Sequence, residues 1–324
     1  MSRVDAVAEA IRASRGVAHK RDIAGVMARL GLGAHCETAV GDDAAAIRDG
    51  DGWLLLAIEG FVEDFVAADP WFAGYCGVMV NVSDIAAMGG APIAIVDAVW
   101  SDGDALAAPL LAGLREAAVR YGVPIVGGHS NLRARSGQLA AAILGRAERL
   151  ITSFDAQPGD ALLVATDLRG AFRDPFPWWD ASTQAPPARL REDLSLLPGL
   201  ARDGLVRAGK DISMAGVIGT AMMLAEASGC GAAIDLARLP MPPGVALEHW
   251  LAAFPSFGFV LAAASRDVDA VAARFTARGI ACARVGVFTH ERALTISDGG
   301  QSACVWDFSE PFIGVAQSRE AAHA

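Results

Sequence analysis

The sequence carries two acidic stretches that decide its fold class, Gly41-Asp42-Asp43-Ala44-Ala45 and Asn81-Val82-Ser83-Asp84-Ile85-Ala86-Ala87-Met88-Gly89-Gly90. In both stretches the carboxylates stand beside small residues and next to an apolar run, a setting that packing alone explains poorly. Carboxylates gathered on one wall repel each other unless a cation lies between them. The pattern therefore predicts a Mg2+ site, and the usual companion of such an ion is a nucleoside triphosphate.

Each stretch also has a purely structural interpretation. Asp42 and Asp43 are residue types common in turns. Asn81 and Asp84 lie three residues apart on one face of a predicted helix, Ala73–Met88, and that face could simply be turned to solvent. An amide and a carboxylate on a face otherwise made of small residues need a polar partner, however, which favours a ligand.

Two further stretches have the same double interpretation. Gly127 and Gly128 follow a predicted strand, where they form either a plain turn or a bare backbone that an anion can approach. Asp211 and Ser213 precede a predicted helix, where they either cap it or bind metal and phosphate at its start.

Composition excludes several classes of protein. The formal net charge is −10 over 324 residues, so no basic face is available for a nucleic acid. No apolar run is long enough to predict a membrane span. The five cysteines, Cys36 among them, are scattered without a CxxC pair, which predicts reduced thiols and a cytoplasmic protein. The length suits two domains, predicted to cover residues 1–152 and 153–324.

Taken in order, these motifs resemble the aminoimidazole ribonucleotide (AIR) synthase superfamily over about residues 20–315. The order is GDDAA, an acidic residue ending the next strand, NxSDxxAMGGxP, GGHS, and a Lys-Asp-Ile-Ser turn that opens a helix. The segments Asp69–Cys76, 209–213 and Pro255–Val260 look like the AIR synthase-related proteins of the methanogenesis marker protein 2 type.

The resemblance implies an α+β fold of two domains. Strands of the N-terminal domain would join those of a second subunit in a barrel, and a C-terminal α+β domain would pack beside it. ATP would lie in a cleft, with Mg2+ ions holding its phosphates. The predicted metal ligands are Asp42, Asp43, Glu59, Asp84 and Asp211. The predicted nucleotide-binding residues are Asn81, Gly127, Gly128, His129 and Ser213.

The resemblance also implies a reaction. We expect an ATP- and Mg2+-dependent enzyme that phosphorylates a heteroatom of a small-molecule substrate, such as a carbonyl, amide or phosphate oxygen. The alternatives are a thiamine-monophosphate kinase and, in another class, a non-catalytic ATP-binding partner or sensor protein. Glu59 replaces an aspartate of the superfamily, and Met214 replaces a metal-binding aspartate of the kinases; both departures keep the non-catalytic alternative open.

Two structural expectations follow from the resemblance and the residue pattern. Asp43, Asp84 and Asp211 should converge in one metal-binding cleft. A homodimer should form through the strands Trp53–Ile58 and Pro92–Trp100, because both runs are apolar on both faces and need cover from more than one side.

Overall fold

The computed structural model describes residues 2–32 and 38–315. Cys36 therefore lies outside the described residues. Within these two ranges, no helix is both long enough and apolar enough to cross a bilayer.

The helices and strands follow one another in a mixed order. The helices are α1 (Arg3–Arg12), α2 (Arg15–Leu30), α3 (Glu63–Ala68), α4 (Pro70–Ala87), α5 (Asp104–Tyr121), α6 (Pro187–Leu194), α7 (Leu196–Asp203), α8 (Gly216–Ala227), α9 (Leu247–Leu251) and α10 (Val268–Thr276). The strands are β1 (Ala45–Asp49), β2 (Gly52–Phe61), β3 (Ala91–Asp102), β4 (Ile125–Asn131), β5 (Arg133–Ala147), β6 (Ala161–Thr166), β7 (Ala171–Phe172), β8 (Trp178–Asp180), β9 (Ala208–Asp211), β10 (Gly231–Asp235), β11 (Phe254–Pro255), β12 (Gly258–Ala263), β13 (Ala281–Thr289), β14 (Ala293–Asp298) and β15 (Gln301–Asp307).

The chain divides into two compact units, each built around its own sheet. The five-stranded unit comprises residues 43–150 and 184–202, and the seven-stranded unit comprises the remaining described residues. This division differs from the continuous domains expected from the sequence. The N-terminal segment joins the seven-stranded unit because α1 packs against β14 and β15. Residues 184–202 join the five-stranded unit because α6 packs against α5.

The five-stranded unit is an open mixed sheet with strand order β1-β2-β5-β3-β4. Neighbouring strands are antiparallel except for the parallel pair β3 and β4. Helices α4 and α5 pack together and against this sheet. Because β1 and β4 are separate edges of the described sheet, the sheet does not close into a barrel within one chain.

Two glycines set the close crossing of α4 and α5. A Cβ atom on Gly74 would lie 1.9 Å from the carbonyl oxygen of Leu110, and one on Gly113 would lie 1.8 Å from that of Trp71. Helix α4 is buried on every side from Phe72 onward, so its polar residues cannot turn to water. The solvent-facing interpretation of Asn81 and Asp84 is therefore wrong.

The seven-stranded unit has the strand order β15-β14-β10-β13-β6-β12-β9. Helix α8 packs against β9, β10 and β12, and α10 packs against β6 and β13. A small sheet, β11-β8-β7, orders the segment that contains Pro175 and Pro177. There Trp179 donates its indole N–H to the carbonyl of Asp167 (2.9 Å) and packs edge-on against Trp250.

Candidate metal and nucleotide site

The five-stranded unit brings two of the predicted metal ligands together. Asp43 lies just before β1, and Asp84 lies in the last turn of α4 with only 4% of its surface exposed. A carboxylate oxygen of Asp43 and one of Asp84 lie within 4.8 Å of each other. Two partly or fully buried carboxylates at this distance match the oxygen ligands that Mg2+ prefers.

Asn81 adds a buried oxygen that lacks a partner. Its side-chain NH2 group donates to the carbonyls of Gly77 (2.9 Å) and Ala141 (3.1 Å), and the residue is fully buried. Both contacts are acceptors, so the amide cannot be flipped, and its Oδ1 has no partner among the described residues. Leaving a buried acceptor unsatisfied costs about 1–3 kcal/mol. A ligand carrying a cation or a donor group would remove that cost.

Glu59 shares one face of the sheet with Asp97, a carboxylate that is not among the predicted site residues. Glu59 on β2 and Asp97 on β3 both pair with Ala141 on the central strand β5, so their side chains project from the same face. Within the described ranges, the carboxyl group of Asp97 makes no hydrogen bond or ion pair, and burial raises its pKa through desolvation. An aspartate inside the apolar run Pro92–Trp100 was the signal that could have revealed it.

The glycine pair lies inside a strand. Edge strand β4 runs through Gly127, Gly128 and His129 and pairs in parallel with β3, so the interpretation of these glycines as a plain turn is wrong. A Cβ atom on Gly128 would lie 2.9 Å from Oδ1 of Asp97. Because side chains alternate along a strand, His129 projects from the opposite face, where its ring lies 6.1 Å from that of Trp100.

Asp42 is used to anchor its own loop. Its two carboxylate oxygens accept hydrogen bonds from the backbone N–H (2.9 Å) and the hydroxyl group (2.6 Å) of Ser153. These bonds fix the chain one residue before Asp43, which leaves Asp43 as the better ligand candidate of the two.

In the seven-stranded unit, Asp211 ends β9 and is 4% exposed. Neither Asp211 nor Ser213 is the cap residue of the following helix: that residue is Ala215, and it makes no side-chain capping bond. The capping interpretation of these two residues is therefore wrong. The Oγ atom of Ser213 is shielded from solvent and has no partner in the described part of the chain. The convergence of Asp211 with Asp43 and Asp84 stays a prediction.

Comparison with known families identifies the class of protein. The model of the AIR synthase related protein N-terminal domain matches residues 41–147, and that of the C-terminal domain matches residues 173–299. The chain therefore belongs to the AIR synthase-related family, as its motif order indicated.

Relatives of this chain include proteins with and without an assigned reaction. The chain is 45% identical over 300 residues to the uncharacterized protein sll0787 of Synechocystis sp. The aligned region covers 91% of this chain and 93% of that protein. It is 36% identical over 138 residues to the thiamine-monophosphate kinase of Pyrococcus horikoshii. This aligned region covers 40% of this chain and 44% of the kinase.

Two solved structures share the fold. AaThiL complexed with AMPPCP and TMP superposes with a TM-score of 0.65 at 18% identity, over 85% of this chain and 91% of that one. Thermotoga maritima PurL complexed with ATP superposes with a TM-score of 0.72 at 16% identity, over 98% of this chain and 53% of PurL. The chain thus spans about half of PurL, and at these identities the likeness establishes the fold alone.

Proposed function

We propose that this protein is an ATP- and Mg2+-dependent enzyme that phosphorylates, and so activates, a heteroatom of a small-molecule substrate. The observation that carries the proposal is the Asp43–Asp84 pair, with oxygens within 4.8 Å of each other in a fold shared with ATP-bound PurL. The buried Oδ1 of Asn81, which has no partner among the described residues and lies three positions before Asp84 on α4, supports the same assignment.

The roles of the chain's residues follow from their chemistry. Asp43, Asp84, Glu59 and Asp211 would hold Mg2+, which supplies neutralisation of phosphate charge when bound. Asn81, Gly127, Gly128 and Ser213 would line the nucleotide; of the predicted set, Asp42 would act as an anchor and His129 would face the opposite side of the sheet. Phosphoryl transfer depends mainly on positioning and electrostatic stabilisation, so little covalent chemistry is asked of the protein.

Calorimetry and a turnover assay test this proposal. We expect ATP to bind in the presence of Mg2+ and not in EDTA, and Asp43→Asn to weaken that binding about tenfold or more by removing a charge from the phosphate site. Asp51→Asn, an exposed carboxylate in the β1–β2 turn, is the matched control and should bind normally. Failure of the wild-type protein to bind MgATP would refute the proposal.

Phosphate or ADP release in the presence of candidate carbonyl, amide and phosphate compounds then separates an enzyme from a sensor. Substrate-dependent turnover supports the enzyme. Tight MgATP binding without turnover over the whole set would favour the non-catalytic ATP-binding alternative.

A second candidate reaction is the phosphorylation of thiamine monophosphate, favoured by the 36% identity to the Pyrococcus kinase. Met214 stands where the thiamine-monophosphate kinases carry a metal-binding aspartate. This missing ligand argues against the kinase reaction. Incubation with thiamine monophosphate and MgATP decides the matter, and Met214→Asp tests whether the missing carboxylate is what separates the two activities.

The five-stranded unit also supports a homodimer. The sheet face opposite α4 exposes Ile47, Leu56, Ile58 and Val96, and Ile58 is 70% exposed. Ile58 and Val96 pair with the same residue of β5, so they form one continuous apolar surface. A second copy placed on this face would bury that surface and match the two-subunit barrel that the family resemblance implies. Light scattering should give a dimer at micromolar concentration and a monomer for Ile58→Asp; a wild-type monomer would contradict the proposal.

A further inference from the structure

Glu226 is a buried carboxylate that the proposed reaction does not use. It lies in the last turn of α8 with 2% of its surface exposed. A negative charge is disfavoured at the carbonyl end of a helix, and burial adds to that cost. No ion pair to Glu226 occurs in the described part of the chain. Its two oxygens instead accept the backbone N–H groups of Phe312 (2.6 Å) and Ile313 (2.7 Å).

These two bonds fasten the segment that follows β15, here called the strap (residues 308–315). The strap's side chains Phe308, Phe312, Ile313 and Val315 are all buried. At its end, the methyl groups of Val315 lie against Gly41: a Cβ atom on Gly41 would approach them to 2.5 Å. Gly41 also has a φ of 115°, a conformation that side-chain-bearing residues rarely adopt. The strap therefore packs directly on the turn that presents Asp43.

A second connection runs from the same helix end to the same turn. The Ser228 hydroxyl group donates to the carbonyl of Ser153 (2.8 Å) and accepts the backbone N–H of Ala156 (3.1 Å). Ser153 in turn holds both oxygens of Asp42. Two residues of one helix end, Glu226 and Ser228, thus fix the Gly41–Asp42 turn from two sides.

Helix α8 also connects the two candidate ligand segments of the chain. It begins at Gly216, shortly after Asp211 and Ser213, and its 12 residues span about 18 Å. The N-terminal end of α8 therefore follows the segment that carries Asp211 and Ser213. Its C-terminal end anchors the Gly41–Asp42 turn, which leads into Asp43.

We infer that Glu226 is a positioning residue for the metal site: through the strap it holds the Gly41–Asp42 turn in the conformation that presents Asp43 to Mg2+. The inference rests on the proposed function, because it explains how Asp43 is held in position to bind Mg2+. Both oxygens of Glu226 accept backbone N–H groups of the strap, so Glu226 is assigned no role as a ligand of metal or nucleotide. Its loss should therefore lower the affinity for Mg2+ without removing a ligand.

The test compares Glu226→Gln with Val315→Ala, which loosens the strap without altering a buried charge. The control is Asp160→Asn, because Asp160 is also a buried carboxylate of the same unit, but it pairs with Arg207 and accepts the backbone N–H of Gln157 rather than any N–H of the strap. ATP binding is titrated with Mg2+ by calorimetry, and melting temperatures are measured alongside. Both strap variants should need about tenfold more Mg2+ for half-maximal ATP binding, and saturating Mg2+ should restore their ATP affinity. Asp160→Asn should lose stability without moving the Mg2+ midpoint.

Hydrogen–deuterium exchange of the amides in residues 41–44, measured without ATP, keeps the two hypotheses separate. Exchange should be about tenfold faster in the strap variants and unchanged in Asp160→Asn. If the wild-type protein fails to bind MgATP, the proposed function is lost, and this exchange result still decides whether Glu226 anchors the turn. An unchanged Mg2+ midpoint together with unchanged exchange in both strap variants would overturn the inference.

Discussion

Neutralising one carboxylate of the Asp43–Asp84 pair should affect the metal-free and metal-bound proteins in different ways. The two oxygens lie within 4.8 Å of each other, so two unit charges there repel by about 3.5 kcal/mol at an effective dielectric constant of about 20. Asp84 is only 4% exposed and stands in a helix of mainly apolar residues, so little water screens this repulsion. Asparagine has nearly the same shape without the charge, so Asp84→Asn removes the repulsion with Asp43.

In EDTA, the Asp84→Asn protein should consequently melt at or above the temperature of the wild type. With Mg2+ at about 100 times its dissociation constant, the wild-type protein gains about 2.7 kcal/mol of stability. For a chain of this size, 1 kcal/mol moves the melting temperature by about 1.5 °C, so Mg2+ should raise it by about 4 °C. The variant should show less than a third of that rise.

Calorimetric melting of both proteins, with and without MgCl2, measures all four temperatures. Asp51→Asn removes the same charge from an exposed turn of the same unit and should keep the full Mg2+ response. The reasoning is refuted if Asp84→Asn keeps the full response, or if it loses as much stability in EDTA as it loses in Mg2+.

Three further outcomes are expected. Asp211→Asn should weaken MgATP binding tenfold or more by calorimetry, about 1.4 kcal/mol, while leaving α8 intact by circular dichroism, since Asp211 does not cap that helix; equal affinity would remove it from the site. Gly113→Ala should destabilise the protein by about 1–3 kcal/mol in urea melts, because its Cβ atom would lie 1.8 Å from the carbonyl oxygen of Trp71 and must push the helices apart. Burial raises the pKa of Asp97, so between the ordinary and the raised pKa the folded state keeps a proton that the unfolded state has released. The free energy of unfolding therefore falls as pH rises through that window. Urea melts of Asp97→Asn should lack this part of the pH dependence and give a higher free energy of unfolding at pH 7; a wild-type pH profile in the variant would show that Asp97 is not its source.

The sequence alone predicted the elements whose pattern is local. The small-residue helix expected at Ala73–Met88 is α4, which begins three residues earlier because Asp69 caps it and Pro70 occupies its first position. The apolar run Pro92–Trp100 forms most of β3. The order of the acidic motifs was sufficient to identify the family, because each motif is short and its residues are neighbours in the chain.

The tertiary structure decided what each polar side chain does, because its partners lie far away in the sequence. Ser153, 111 residues from Asp42, gives that aspartate an anchoring role that no local pattern predicted. Pairing of β4 with β3 places Gly128 beside Asp97, although the sequence suggested a turn there. The bonds from Glu226 reach 86 and 87 residues along the chain. Sequence periodicity records which face a residue occupies, whereas hydrogen bonds across strands and loops depend on chain packing that no local pattern encodes.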